Sequence, residues 1–495
     1  MPTTELLRRE WTAFRRPARL VALTAAVLIV IALGLLYAVG NRSSCDGPCP
    51  GVPTADDGSA VSDAFWFRHR DLGETGSITV RLTSMTGTIT YPPPDHDEIV
   101  AGLVPWAKAG IIVKDGVRQG SRYAALMATG SHGVRFQHNY RHDVAGSTGG
   151  VTEQSPRWLR LTRAGDTITG SESADGERWN TVATATLDGL PATVRVGLFA
   201  TSPGDLTLRE IGLGGAIEEV RFTQAVGVFD NVTVEGGAGG TWQSESVGDM
   251  NHTDWEKFHN ASGAVEKDGV VTVSGTGDIG PVSDQGARGV ENTLSGLVIA
   301  LIIVIVVAAR YGARTARDGS SRPVIAARAA VVGAATFVTG LVAAGVVLPL
   351  STAILKSNGV PVQPVSVLTT VRVVVGLAAV LGLCAVLAYA LGVWVRRGWA
   401  AVLIGLSLIA LPRAVTALPL LPDPVSEWLM RITPAAAFAV QQTMVEYPQV
   451  IAHYAPSAGY FPLPWWAGLL VLCAYTAVFA RVAVSRAPAA ETDWR

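Results

Sequence analysis

Arg310, Arg314, Arg317, Arg322 and Arg328 crowd into the polar stretch 310–328, RYGARTARDGSSRPVIAAR, between two long apolar runs. A guanidinium stays charged and offers five N–H donors in a fixed fork. Such a cluster is what the positive-inside bias retains on the cytoplasmic face of a membrane, so the stretch is read as a cytoplasmic loop. Arg413 differs, because it stands inside an apolar run beside Pro412. An ionised group there is costly and Pro412 interrupts helical hydrogen bonding next to it, which makes Arg413 a candidate for a translocation path. Arg372, near the end of another run, can snorkel to headgroups. Catalytic sets are scarce. Glu172, Asp175 and Glu177 come closest to paired carboxylates, but Asp175-Gly176 predicts a hairpin turn that leaves them solvated. No G-x-x-x-x-G-K followed by Ser or Thr occurs, so the chain lacks the nest of backbone N–H groups that cradles a triphosphate. We expect no catalytic residue, no metal ligand and no cofactor bound by this chain.

The elements that must position these residues follow from composition. Of 495 residues 49% are hydrophobic and only 16% charged, too apolar for an ordinary soluble enzyme of this length. A net charge of −1 hides an asymmetry, with Arg gathered at the ends of apolar runs and acids concentrated in a polar insert at 41–293. No basic stripe points to nucleic acid. Cys45 and Cys49, just after the first apolar run, form a candidate disulfide if that side is oxidising, across a loop that is tight for the bond. Cys384 and Cys473 fall in later apolar runs and read as small packing residues.

Residues 4–16 place Leu7, Trp11 and Phe14 on one helical face, which predicts an interfacial amphipathic helix ended by Pro17; the alternative is a disordered basic tail. Apolar runs at 19–40, 294–309, 324–350, 367–395, 399–421 and 464–484 are each near the roughly 20 residues that span a bilayer. They predict a multi-pass α-helical membrane protein of six spans in a cell membrane. Placing 310–328, Arg396, Arg397 and Arg486 on the cytoplasmic side puts both termini inside and 41–293 outside. The stretch 434–447 is short and half apolar, which suits a re-entrant or interfacial helix.

Between the first two spans the pattern changes to short alternating segments. In 77–82, SITVRL, alternate residues Ile78, Val80 and Leu82 share a face, and 158–162 and 193–199 alternate likewise, with turn signals at Asp115-Gly116, Gly165-Asp166 and Asp175-Gly176. This predicts an extracytoplasmic all-β sandwich at 57–235, inserted between spans 1 and 2. The expected order is a cytoplasmic helix at 1–18, span 1 at 19–40, a linker at 41–56 and the sandwich. A stalk at 236–293 follows the GGAGG break at 236–240, with one strand at 269–274, then spans 2–6 within 294–486 and a tail at 487–495.

PWAKAGIIVKDG at 105–116, WLRLTRAGDTITGSESADGERW at 158–179 and FDNVTV at 229–234 resemble DUF1349-like concanavalin/laminin-G jelly rolls. Such domains are often associated with carbohydrate. The resemblance makes Trp66, Trp106, His138, Tyr140 and Trp179 candidate glycan contacts, against the alternative that Trp106, Trp158 and Trp179 are core or turn aromatics. The E-x-D-x-x-E strand of related glucanases is missing.

The stretch ARYGARTARDGSSRPVIAARAAVVGAATFVTGLVAAGVVLPL at 309–350 resembles the loop after the second span in ABC-2-type transporter permeases. WLMRITPAAAFAVQQ and GYFPLPWWAGLLVLCA near the carboxyl end do so as well. The likeness takes in the first 40 residues and 290–486. The family loop often reads E-Y-R-x-G-T-I-R-T, whereas this chain has Arg310 before Tyr311 and keeps Gly312 and Arg314 in shifted register. It implies a permease, expected to be an exporter, that hydrolyses nothing itself and pairs as a homodimer or heterodimer. A separate ABC ATPase subunit using ATP would rest on Trp11, Phe14, Arg310, Tyr311, Arg314 and Arg317. Membrane lipid and an extracellular glycan or cargo complete the expected partners. The alternative is a membrane-anchored glycan-binding or sensory protein acting through its sandwich.

Overall fold

The computed structural model describes residues 3–42, 52–90, 98–237, 240–249, 261–283 and 287–486; the Cys45 and Cys49 pair lies outside them. Helix α1 spans Thr3–Phe14, and Pro17 both ends it, by holding Arg16 extended, and opens α2 at Pro17–Gly40. After the β domain come α3 at Leu297–Arg317, α4 at Arg322–Ser357, α5 at Val367–Val395 and α6 at Gly398–Thr416. A short α7 at Asp423–Ile432, a 3-10 turn at Pro434–Gln441 and α8 at Trp465–Ser485 follow. Six of these, α2 to α6 and α8, are long and apolar enough to cross a membrane.

Two expectations need correction here. The stretch 310–328 is not a loop: α3 stays helical through Arg317, the turn is confined to 318–321, and α4 begins at Arg322. Ala and Arg are strong helix formers, so polarity alone does not end the helix; Gly319, at φ 65°, supplies the left-handed turn that does. The stretch at 434–447 is not an α-helix either. Pro434–Gln441 forms a 3-10 turn whose eight residues are all buried, packed chiefly on α8. Close backbone contact brings α3 and α5 together: a Cβ at Gly312 would stand 2.1 Å from the Tyr389 carbonyl, and one at Gly392 would stand 2.2 Å from that of Ala309. Glycine at both positions is what permits this approach.

In the β domain a 26-residue strand, Phe65–Thr90, serves two sets of partners. Its first part lies between Val194–Thr201 and Gln243–Val247, and its middle part between Arg157–Ala164 and Gly215–Gly237, all antiparallel. The alternation seen in sequence holds, with Ile78, Val80 and Leu82 buried in the same core as Ile111, Leu126 and Leu198. The expected stalk is also corrected. Gln243–Val247 fills an edge of Phe65–Thr90, and Val270–Gly275 extends the same sheet from Gly215–Gly237. Gly236, at φ 71°, turns the backbone so that the chain folds back; a glycine break redirects a sheet as readily as it ends one.

The opposite face of the sheet carries a second core of Phe65, Phe67, Ile112, Tyr123, Met127 and Phe199. Over it lie two short strands, Val61–Asp63 and Ile279–Pro281, paired with each other where the chain enters and leaves the domain. Lys108 and Lys114 stand an even number of residues apart on one strand, so both reach this face. Lys114 Nζ donates to Asp63 Oδ2 at 2.7 Å, with both side chains fully buried. The same carboxylate oxygen accepts from Gly120 N and Tyr140 Oη. Lys108 pairs with Asp278 and donates to the Ile279 carbonyl. Each lysine therefore grips one of the two connecting strands. Burial lowers the Lys114 pKa while Asp63 pushes it back up, so the pair holds its charge only as a pair.

Lys114→Met strands the Asp63 carboxylate in the core and should cost about 3–5 kcal/mol, read as a lower unfolding midpoint of the β domain in the full chain. Adding Asp63→Leu should restore most of the loss. A single variant that melts with the wild type would show that the pair does not hold the connecting strands.

Candidate functional site

Continuation of α3 past its apolar part gives the arginines a register. Arg310, Arg314 and Arg317 sit at i, i+4 and i+7, all exposed on one face, while Tyr311, Gly312 and Thr315 are buried on the other. The exposed Arg8, Arg9, Arg15 and Arg16 belong to α1 and its junction with α2, so cations gather at one end of the helical bundle.

Helix α1 is clamped to that end by a buried junction. Its inward positions are Leu7, Glu10 and Phe14, one helical face. Glu10, 4% exposed, accepts from Arg328 Nε at 2.7 Å; Arg328 also donates to Thr315 Oγ1 at 3.1 Å and Ser320 Oγ at 3.4 Å, and lies 3.7 Å from Asp318. One guanidinium thus joins α1, α3, the turn and α4. Phe14 meets the Tyr311 ring edge-on at 5.5 Å, Tyr311 in turn contacts Tyr389 of α5 at 5.8 Å, and the Arg19 guanidinium covers Tyr311 at 4.0 Å.

The structure separates the predicted coupling residues into two groups. Arg310, Arg314, Arg317 and Trp11 are exposed, Trp11 at 43%, whereas Phe14 at 0% and Tyr311 at 5% are interior and unavailable to another polypeptide. Sequence reasoning missed Glu10, although a lone acid between Leu7 and Phe14 on the apolar face is a readable sign of a buried partner. It also read Arg328 as a topology charge; its neighbours come from elements distant in sequence. The arrangement offers no nucleophile. It presents fixed cationic donors on a helix whose reverse face is packed against the bundle, with Phe14 and Tyr311 linking α1 to Tyr389 of α5 by ring contacts.

At the opposite end, Arg413 lies one turn before α6 stops at Thr416, closer to the helix end than sequence suggested. Its guanidinium is flanked by the rings of Phe438 and Phe461 at 5.9 and 5.8 Å, and no acid pairs with it among the described residues. A π-turn at Leu406–Ala410 precedes Pro412, where the missing N–H would otherwise interrupt the ladder. Arg372, at the start of α5, donates to the Gln442 carbonyl.

The candidate glycan contacts are not brought together. Tyr140, 3% exposed, is committed to Asp63 and the Ser121 carbonyl. Trp106, 5% exposed, stacks on His132 at 4.0 Å, and half-buried Trp66 sits mid-sheet, paired with Ala200 and Ser246. Trp179 lies under Arg160 at 3.8 Å. His138 stacks on His142 at 4.3 Å. Two of the three carboxylates have structural tasks as well, and Glu177 is exposed as expected. Glu172 is buried, not solvated, and accepts from Ser147 N at 2.7 Å, while Asp175 closes its turn by accepting from the N–H groups of Glu177 and Arg178. These hydrogen bonds and the Arg178 guanidinium hold the Asp175 carboxyl far below the usual range.

No protein-family model matches the chain, and no curated protein matches it. Among solved structures, it is similar to scytalido-glutamic peptidase bound to a transition-state analogue inhibitor, with 8% identity, covering 43% of this chain and 98% of that one, at a TM-score of 0.27. SCP-B, a member of the eqolisin family of peptidases, gives 8% identity with the same coverages and a TM-score of 0.25. A functionally unknown protein from Saccharomyces cerevisiae gives 15% identity, 34% and 71% coverage, and a TM-score of 0.20. Likeness at these scores carries no argument about activity.

Arg328→Met leaves Glu10 buried without its cation and should cost about 3 kcal/mol at the α1 junction. The expected readout is faster tryptic cleavage at the arginines of α1 in the detergent-solubilised chain, and wild-type cleavage rates would rule the clamp out. Separately, burial and then the charge of His142 lower the His138 pKa from 6.5 to about 4. The unfolded chain therefore binds the proton first, and the β domain should lose stability as pH falls from about 6.5 towards 4. His142→Gln should shrink that loss, checked by melting curves across the same window.

Proposed function

We propose that this chain is the membrane-spanning permease subunit of an ATP-binding-cassette transporter, an exporter driven by a separate ATPase subunit that supplies the ATP chemistry. In this reading α2 to α6 and α8 cross the cell membrane, both termini are cytoplasmic, and residues 41–293 with their β sandwich are extracytoplasmic. The observation that carries it is the arginine face of Arg310, Arg314 and Arg317, set on a helix whose other side is locked to α1 and α5. Charge needed only to fix topology has no required register. A one-sided row on a rigid support suits an acidic partner that must push as well as bind. Trp11, exposed on α1, is the apolar contact expected beside it.

Nucleotide-driven closure of the ATPase would press on α1 and the α3 end together, and Phe14, Tyr311 and Tyr389 would carry the displacement into the spans as a rigid-body tilt. Two permease subunits, identical or different, enclose the path, and Arg413 with its two aromatic neighbours is the candidate polar station on it. The rival reading, a tethered glycan-binding or sensory protein, loses support from the burial of Tyr140 and Trp106 and from the scatter of the remaining aromatics.

Affinity purification of the full chain in mild detergent should recover an ABC ATPase. Reversal of Arg310, Arg314 and Arg317 to Glu should reduce that recovery by about tenfold or more while the melting temperature is kept. Recovery of no ATPase, or labelling of Arg317→Cys by an impermeant reagent from outside intact cells, would overturn the proposal.

A further inference from the structure

Two cavities meet at the start of α5, away from the arginine face. One, of about 410 Å³, is mixed, with Thr369, Arg372, Gln442 and Glu446 set among apolar side chains such as Phe461 and Leu463. The other, of about 520 Å³, is an apolar groove between α5 and α8 lined by Val371, Val375, Ala379, Val440 and Leu469. They share Thr369, Arg372 and Trp465, so a chamber carrying both charge signs adjoins an apolar trough.

The charges in the chamber are arranged for a ligand of both signs. Arg372 spends one N–H on the Gln442 carbonyl, and its Nε is buried with no hydrogen-bond partner among the described residues. Glu446 is exposed and unpaired among them. The nearby Glu291 is already engaged by Thr443 N, Thr443 Oγ1 and Met444 N, so it holds the wall and does not neutralise a ligand. A guanidinium and an exposed carboxylate on the walls of one cavity match a phosphate joined to an ammonium group, with the fork of Arg372 on the phosphate oxygens. The trough is bordered by exposed Val371, Val375 and Trp465, an apolar surface continuous with the flank of the bundle. Val440 forms its floor, seated where Gly376 has no Cβ to exclude it.

We infer that this paired cavity is a specific site for a phospholipid of the outer leaflet whose headgroup joins a phosphate to a primary ammonium, phosphate on Arg372, ammonium on Glu446, and one acyl chain in the α5–α8 trough. A tail there wedges α5 against α8 beside the buried Pro434–Gln441 turn, so the lipid sets their separation. This rests on the membrane orientation proposed above and not on the ATPase partner.

The test is lipid titration of the delipidated full chain in detergent, read by native mass spectrometry. The lipids are phosphatidylethanolamine, phosphatidylcholine and phosphatidylglycerol, with tail-less glycerophosphoethanolamine as control. Phosphatidylethanolamine should give a saturable adduct preferred by about tenfold, and Arg372→Gln and Val375→Trp should each weaken it about tenfold or more. Glu446→Gln should remove the preference over phosphatidylglycerol while binding persists, and Arg372→Lys should weaken binding less than Arg372→Gln, which separates loss of contact from misfolding. Equal binding of the three lipids with no effect of Arg372→Gln, or of Val375→Trp in a chain that melts normally, would reduce the site to ordinary lipid contact and overturn the inference. Binding of the tail-less headgroup as tight as that of the lipid would overturn it too. Loss of the ATPase from purification would leave these readouts unchanged, whereas recovery of the chain in the soluble fraction would remove the membrane reading itself.

Discussion

A long insertion between two packed helices must bring the chain back to where it left, and here two three-residue strands meet that demand. Val61–Asp63 and Ile279–Pro281 lie side by side, and Lys114 and Lys108 hold them to the sheet from beneath. With the ends pinned together, α2 and α3 are free to pack tightly; a Cβ on Gly296 would stand 2.8 Å from the Val30 backbone. The β domain is accordingly mounted on the helices and not merely tethered to them. Ala60 exchanges hydrogen bonds with the Gln363 side chain, Gln449 reaches the Arg141 carbonyl, Glu218 accepts from His453 N, and Leu213 N donates to the Leu420 carbonyl.

Two buried ion pairs, one in each half, are handled alike. Asp63 with Lys114 and Glu10 with Arg328 are interior, and each is paired and given further hydrogen bonds, because an unpaired ion there would be prohibitive. Arg372 and Arg413 lack an acidic hydrogen-bond partner and lie instead at the margin of a cavity or between aromatic rings. The paired ions hold elements together. Arg372 and Arg413 instead keep guanidinium N–H groups that no carboxylate accepts among the described residues.

Much of this was legible beforehand. Six apolar runs correspond to six long apolar helices, since about 20 consecutive apolar residues can hardly fold otherwise. Alternation at 77–82 located a real strand for the same kind of reason: one face is buried and the other is not. Helix ends were less legible, as in α3, because Arg and Ala carry a helix into water as readily as through an apolar layer. The glycine-rich break at 236–240 misled because whether a chain returns to its own sheet depends on a vacant edge some 170 positions earlier.

Local pattern, then, determined the kinds of element and their order: apolar length specified helices, period-two alternation specified strands, and arginine placement marked one end of the bundle. Which charges would be buried together was decided only in three dimensions. Glu10 and Arg328 stand more than 300 residues apart, as do Ala60 and Gln363, and Lys114 finds Asp63 across the sheet from another strand. A side chain's sequence reports what it can offer, but the desolvation that forces a partner upon it arises only once packing has removed the water.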